Sequence, residues 1–325
     1  MALGLLAVIA IDRNLGRIEG GGPYRREIPR PIEVVRAASG ARHVVLGCST
    51  SEWFAPALAR AWRVGSGAVV DAHMSDCLQA CTLAEARRLH QLGRHFETAT
   101  FGVNTFEYCE SYRERRSMQE VELLPPGDTL ELARVYAHSE DPLRHAGGWF
   151  MNHVSLVYGN TMWLQRHFRK RWFGNETLDA EWSAPARSVQ PKTGGGAFRC
   201  DYALADRDFG LAATRGALRA LELLADRVQL VLLPDRTYSG TSDEARRVRE
   251  LFRLEHERMA GEFERVQIVD LLDDSLTREA LFRDRAHLNA KGVKRASALL
   301  AERVAGIGPS GGSAVQPNGA KATAP

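Results

Sequence analysis

Short apolar runs alternate with longer amphipathic segments in two parts of the chain, residues 32–110 and 211–305. Such runs are typical of buried parallel strands, and apolar residues that recur every three to four positions are typical of helices packed on a sheet. The apolar runs predict strands at 43–47, 68–70, 98–103, 228–233 and 266–271. The amphipathic segments predict helices at 32–38, 52–62, 78–93, 211–226, 242–264 and 293–304.

This alternation predicts an α/β fold in which helices cover both faces of a sheet. We expect residues 32–305 to form one three-layer α/β/α sandwich with a mainly parallel, five-stranded sheet. The alternation stops between about 112 and 205, where we expect a large insertion with a helix at 153–173. Residues 306–325 are rich in Gly, Ser, Ala and Pro, which predicts a disordered tail.

The N-terminal segment begins with an unbroken apolar run from Ala2 to Ile11. A membrane-spanning helix needs about 20 apolar residues. Residues 20–23 and 29–31 contain the glycines and prolines of a linker. We therefore assign residues 1–31 to an apolar segment and linker, in which the apolar run is either a buried strand or a shortened membrane anchor.

The composition is that of a soluble globular protein, with 44% hydrophobic and 26% charged residues, and it excludes a largely disordered chain. A formal net charge of +3 gives no sign of nucleic-acid binding, which would need basic residues gathered on one face. The glycines at 194–196 lack the lysine and hydroxyl residue of a phosphate loop. We therefore expect neither a nucleic-acid partner nor a nucleotide cofactor.

The five cysteines are odd in number and too few for a disulfide scaffold. Cys77 and Cys81 lie four positions apart, which would place both on one face of a helix. His90 and His95 follow them without the spacing of zinc ligands. We expect buried thiols and no metal site.

Polar residues follow two of the predicted strands at the edge where an open parallel sheet binds its ligands. Ser49 follows the first strand, where its hydroxyl would lie at this edge and its backbone N–H would stabilise an oxyanion at a helix N-terminus. Asn104 follows the third strand, and its side-chain amide would be a second donor. Alternatively, Ser49 or Ser51 caps the helix, and Asn104 is an ordinary turn residue.

Asp284 and His287 follow the fifth predicted strand. Their spacing lets the two side chains meet within one turn. The carboxylate would then hold the proton of Nδ1, which leaves Nε2 to accept the proton of a serine. Alternatively, Asp284 caps the last helix and His287 faces solvent.

Together these features resemble the SGNH (GDSL-type) hydrolase superfamily over about residues 40–110 and 225–305. GCSTS is similar to its first block, GVN to its third and DRAHLNAKG to its last. The resemblance implies a flavodoxin-like fold, no cofactor, and a catalytic triad of Ser49, Asp284 and His287. The last block is similar to the branch that includes envelope polysaccharide O-acetyltransferase-like proteins and the D-alanyl-transfer proteins of teichoic acid, whose members often carry an N-terminal anchor.

The chain departs from the superfamily pattern at two positions. Cys48 stands where the family usually has aspartate. The residue whose backbone N–H completes the oxyanion hole with Ser49 and Asn104 falls at Asp76, whose carboxylate would oppose the charge of the oxyanion. Ser51 and Cys48 are rival nucleophiles, and Cys48 would need an activating base and an exposed position.

The resemblance implies a serine esterase or O-acyltransferase that acts on an O-acylated, for example acetylated, carbohydrate or cell-envelope glycan. One alternative is an SGNH-fold binding or assembly module whose site is catalytically weakened. Another is a membrane-associated partner protein that acts through the basic and aromatic residues at 166–173. We expect a location in the cell envelope or at a membrane, through the N-terminal segment, rather than in the cytoplasm.

Overall fold

The computed structural model describes residues 29–74, 79–108, 134, 135, 137, 202, 207–284 and 286–305, without the side chains of 29–32. The apolar N-terminal run, the predicted helix at 153–173 and the predicted tail lie outside these described residues. The same holds for most of the expected insertion.

Five strands form one sheet in the order β2-β1-β3-β4-β5, and every neighbouring pair is parallel. The strands are β1 (His43–Leu46), β2 (Val69–Asp71), β3 (Phe96–Asn104), β4 (Ala225–Leu233) and β5 (Val266–Asp270). The predicted α/β fold with a five-stranded parallel sheet is confirmed. Because all five strands run the same way, their carboxyl ends share one edge.

Helices lie on both faces of this sheet, which is consistent with a three-layer fold. They are α1 (Pro29–Ala37), α2 (Phe54–Ala61), α3 (Gln79–Gln91), α4 (Arg207–Leu224), α5 (Asp243–Ala260) and α6 (Ala290–Ala305). The helices α1, α3, α4 and α5 contribute to the core on one face, and α2 and α6 contribute to the core on the other.

The two cores follow from the alternation of side chains along each strand. Val44 and Leu46 lie in the core beneath α3, α4 and α5, whereas Val45 lies in the core beneath α2 and α6. All three are fully buried. A strand that is covered on both faces appears in the sequence as a continuous apolar run, and this is why β1 could be predicted.

The segment before β4 differs from its prediction. We expected a helix at 211–226, but α4 ends at Leu224 and the strand begins at the next residue. Ala225 pairs with Phe96 of β3 in the sheet. Pairing with a distant strand therefore overrides the helical pattern at these residues.

The proline-containing segment 29–31 opens α1 and does not act as a linker. Prolines are tolerated in the first turn of a helix because the N–H groups of that turn have no intrahelical acceptor. The predicted boundary between residues 31 and 32 therefore falls inside α1.

The two described cysteines differ in chemical state. Cys48 carries a buried thiol. Cys81 is disulfide-bonded, and its partner lies outside the described residues, as Cys77 does. The prediction of a buried thiol at Cys81 is therefore wrong, because the spacing of cysteines in the sequence does not show which of them form a disulfide.

The part of the chain that the structure describes contains neither a membrane-spanning helix nor a cluster of metal ligands. None of its helices combines the length and apolar character needed to cross a membrane. No three histidine, cysteine or carboxylate side chains in this part gather as metal ligands would.

Candidate active site

The loops after β1 and β5 meet at the carboxyl edge of the sheet. Ser49 follows β1, and His287 lies 238 residues later, in the loop before α6. The Ser49 Oγ and His287 Nε2 atoms are 2.7 Å apart, which is hydrogen-bonding distance. The structure thus brings together two of the residues that the sequence singled out.

Asp284 fixes the protonation pattern of the His287 ring. Both carboxylate oxygens lie 2.9 Å from His287 Nδ1. A carboxylate only accepts hydrogen bonds, so Nδ1 carries the proton and donates it. In the neutral ring Nε2 is then an acceptor, and the Ser49 hydroxyl donates to it.

The carboxylate of Asp284 is held in its charged form. Partial burial by itself raises the pKa of this group. The ring of His287 opposes this effect through its hydrogen bond and its positive charge when protonated. The backbone N–H groups of His287 and Ala286 also donate to the carboxylate, and together these interactions lower the pKa of Asp284 to about 2. Asp284 therefore remains negative at neutral pH.

The backbone of the loop that carries His287 is tied down on both sides of the histidine. The Arg283 N–H donates to the His287 carbonyl at 2.9 Å, and the Asn289 N–H donates to the Leu281 carbonyl at 2.8 Å. Leu288 is buried in the core beneath α2 and α6. The imidazole therefore stands on a loop whose neighbouring residue is anchored in the core.

Asn289 and Gly292 have structural roles at the end of the DRAHLNAKG segment. Asn289 Oδ1 accepts hydrogen bonds from the N–H groups of Lys291 and Gly292, each at 3.0 Å, and so caps α6. A Cβ atom at Gly292 would lie 2.4 Å from the Leu281 carbonyl oxygen. Asn289, and not Asp284, is therefore the helix cap, which removes the structural alternative for Asp284.

The turn after β1 presents Ser49 to this loop. Gly47 has a φ of +114°, a conformation that side chains other than glycine rarely adopt. Residues Ser49–Ser51 then form one 3₁₀ turn whose N-cap, Cys48, makes no capping hydrogen bond through its side chain. The Ser49 hydroxyl contacts His287 and is not used as a helix cap.

The rival nucleophiles are placed less favourably. The Ser51 hydroxyl is fully buried, against the backbone of Gly102, and hydrogen-bonds to none of the described residues. The Cys48 thiol is buried too, 3.6 Å from Ser49 Oγ. Among the three, Ser49 is the one that combines partial exposure with a hydrogen bond to His287.

Asn104, the last residue of β3, belongs to a buried polar network around Glu107. Asn104 Nδ2 and Thr50 Oγ1 donate to the same oxygen, Oε1 of Glu107, at 3.1 Å and 3.2 Å. Gln79 donates to the other oxygen at 3.3 Å. Because Thr50 is the neighbour of Ser49, this network places the Asn104 amide beside the 3₁₀ turn of Ser49–Ser51.

Glu107 carries a carboxyl group with an unusual pKa. Burial, which outweighs the hydrogen bond from Thr50, and the nearby charge of Asp235 together raise the pKa of this group to about 8. Burial also raises the pKa of Asp235, which accepts hydrogen bonds from Thr105 and from the N–H groups of Thr237 and Tyr238. Glu107 is therefore mostly protonated at neutral pH.

Glu107 was not predicted from the sequence, whereas Asn289 and Gly292 were recognised there as part of DRAHLNAKG without a role of their own. Glu107 had one usable signal, its position three residues after Asn104, where side chains of one turn meet. Asp76, the expected third part of the oxyanion hole, lies outside the described residues.

A scan against protein-family models and searches of curated proteins and of solved structures find no match to this chain. What this site can do must therefore be inferred from its geometry.

Proposed function

We propose that this protein is a serine esterase or O-acyltransferase that works through an acyl-serine intermediate on Ser49. The observation that carries this proposal is the continuous chain of hydrogen bonds from Ser49 through His287 to Asp284. Nucleophilic acyl transfer uses this arrangement, in which a nucleophile is hydrogen-bonded to a base and a third group orients the base.

In the first half of the reaction, Ser49 Oγ attacks the carbonyl carbon of an ester while His287 Nε2 takes the hydroxyl proton. The negative charge of Asp284 stabilises the imidazolium that forms. The ester C–O bond then breaks, and His287 gives the proton to the departing alcohol. The acyl group remains on Ser49.

In the second half, a water or a sugar hydroxyl attacks the acyl carbon, and His287 accepts its proton. The bond between the acyl carbon and Ser49 Oγ breaks, and the proton returns from His287 to Ser49. Water as acceptor gives an esterase, and a hydroxyl acceptor gives a transferase.

The oxyanion of the tetrahedral intermediate needs fixed donors. The Ser49 N–H is one, since it donates to no acceptor among the described residues. The Asn104 amide is the second, because one of its two N–H groups goes to Glu107 and the other remains.

We assign the fold to the SGNH type, with a large insertion at about residues 112–205. A five-stranded parallel sheet with the nucleophile after β1, an asparagine at the end of β3 and the Asp–His pair after β5 supports this assignment. The resemblance of DRAHLNAKG to the polysaccharide O-acetyltransferase-like branch favours an O-acylated glycan as substrate. The disulfide of Cys81 supports a location outside the reducing cytoplasm, in the cell envelope.

Hydrolysis of p-nitrophenyl acetate tests the proposal. The protein should release p-nitrophenol, and Ser49→Ala should lose nearly all of this activity. Ser51→Ala is the matched control, because it removes a buried hydroxyl from the same turn and should retain activity. Equal activity of the protein and Ser49→Ala would show that Ser49 is not the nucleophile.

One observation favours the second candidate function, an SGNH-fold binding or assembly module. The Asn104 side chain is fully buried and bonded to Glu107. An oxyanion donor must reach the substrate, so a site in which the Asn104 amide stays buried would catalyse acyl transfer poorly. A protein that binds glycan but neither hydrolyses p-nitrophenyl acetate nor reacts with a fluorophosphonate probe would fit this module.

A further inference from the structure

Asp71 and His73 form a second aspartate–histidine pair at the carboxyl edge of the sheet. Oδ1 of Asp71, the last residue of β2, accepts hydrogen bonds from His73 Nδ1 at 2.6 Å and from the His73 backbone N–H at 3.2 Å. Asp284 accepts the same two groups from His287. The two pairs thus share these hydrogen bonds, one pair at the end of β2 and the other in the loop before α6.

The second pair borders the nucleophile turn. Asp71 pairs with Val45 in the sheet, and beyond β2 the Met74 N–H donates to the Gly47 carbonyl at 2.9 Å. His73 therefore lies level with Gly47, one strand spacing of about 4.8 Å away. Ser49 follows only two residues later in the chain.

The side chains of this pair face the side of the sheet on which α2 and α6 lie. Val70, Ala72 and Met74 belong to the core on the opposite face, and side chains alternate along an extended chain. Asp71 and His73 therefore point towards the face from which the loop before α6 delivers its histidine to the site.

His73 has an unused acceptor. Its Nδ1 donates to the Asp71 carboxylate, so Nε2 of the neutral ring accepts, and none of the described residues occupies it. The side chains of His73 and Asp71 are 23% and 33% exposed. The triad does not need this ring, because Ser49 already donates to His287. An oriented, partly exposed acceptor suits a hydroxyl of a ligand.

We propose that His73, oriented by Asp71, binds a hydroxyl group of a sugar acceptor while the acyl group is on Ser49. The inference rests on the proposed function and narrows it to acyl transfer to a polyhydroxylated acceptor. The attacking hydroxyl gives its proton to His287, as in the second half-reaction. His73 accepts a hydrogen bond from a neighbouring hydroxyl and exchanges no proton.

The test uses p-nitrophenyl acetate as donor and cellopentaose, an oligosaccharide that offers only hydroxyl groups, as acceptor. Acetylated cellopentaose and free acetate arise from the same acyl-enzyme, so their ratio isolates acceptor binding from acylation. His73→Ala should lower this ratio about tenfold, because the acceptor loses one hydrogen bond. The release of p-nitrophenol should stay nearly unchanged. Asp71→Asn should lower it too, because the ring is no longer held by a carboxylate.

His95→Ala is the matched control, because it breaks another histidine–aspartate pair, His95 with Asp226, at the amino end of β3 and β4. It should leave the ratio unchanged. An unchanged ratio in His73→Ala, or no acetylated cellopentaose from the unmodified protein, overturns the inference and leaves the esterase intact. Failure of the unmodified protein to form an acyl-serine contradicts the proposed function as well, so the two failures are distinguishable.

Discussion

Glu107 holds the side-chain amide of Asn104 at both ends. Its backbone N–H donates to Asn104 Oδ1, and its carboxyl group accepts from Nδ2, each at 3.1 Å. This pairing fixes the orientation of the amide and leaves one N–H for a ligand. The geometry fixes how the amide is oriented, and Asn104→Ala tests whether the remaining N–H reaches the substrate.

Asn104→Ala tests the role of this amide. Removing one oxyanion donor typically lowers turnover by about 10²–10³, and a donor used only in the transition state lowers kcat with little change in KM. We expect this split with p-nitrophenyl acetate as substrate. Thr100→Val is the control, because Thr100 is buried on the same strand and bonds to Gln229 away from the edge. Equal losses in the two variants would contradict the assignment.

Glu107→Gln tests the raised pKa of this carboxyl group. The group binds its proton in the folded state up to about pH 8, whereas in the unfolded chain it ionises near 4.5. The unfolded state therefore binds fewer protons between these values, and the stability contributed by protonated Glu107 is lost as the pH rises.

The free energy of unfolding of both proteins, from urea titrations at pH 5, 6, 7 and 8, checks this. Relative to Glu107→Gln, the unmodified protein should become progressively less stable towards pH 8. Asp235, whose pKa is raised as well, is present in both proteins. A constant difference across this range would mean that Glu107 titrates normally.

The fold could be predicted because its signals are local. Each buried strand is a continuous apolar run between amphipathic helices, so the sheet follows from the sequence. The end of α4 could not be predicted, because Ala225 leaves the helical pattern only by pairing with Phe96, far away in the chain.

The parts of the site that could be predicted are those whose residue types and spacing indicate a catalytic role. Ser49 follows β1, Asp284 and His287 form an Asp-x-x-His pair in the loop between β5 and α6, and the structure brings the three together. The network around Glu107 was not predictable, since Thr50 and Gln79 reach it from other elements. Cys81 illustrates the same limit, because a disulfide depends on a partner that spacing does not identify.

Asp284→Asn tests the orientation of the base. The asparagine amide would donate to Nδ1, so the proton would move to Nε2 and His287 could no longer accept from Ser49. We expect kcat to fall by about 10⁴ with little loss of stability, as for the corresponding change in serine proteases. Asp226→Asn, which alters an exposed pair with His95, should have no effect on activity. A loss below tenfold would show that Asp284 does not control the tautomer.

Gly292→Ala tests the packing of the His287 loop on α6. A Cβ atom there would overlap the Leu281 carbonyl oxygen, which is backbone and cannot rotate away. We expect a lower thermal midpoint together with a lower kcat, because the loop must shift. Gly65→Ala is the control, since a Cβ at Gly65 meets nothing within 4 Å. Unchanged kcat in Gly292→Ala would show that the loop position does not affect the reaction.

Covalent labelling measures the reactivity of Ser49 directly. A fluorophosphonate probe reacts with a serine whose proton is taken by a neighbouring base, so the protein should gain one adduct that peptide mass spectrometry places on Ser49. His287→Ala should lose the adduct, and Ser51→Ala should keep it. A protein that is not labelled, or that is labelled equally after Ser49→Ala, would contradict the account of an alcohol activated by His287.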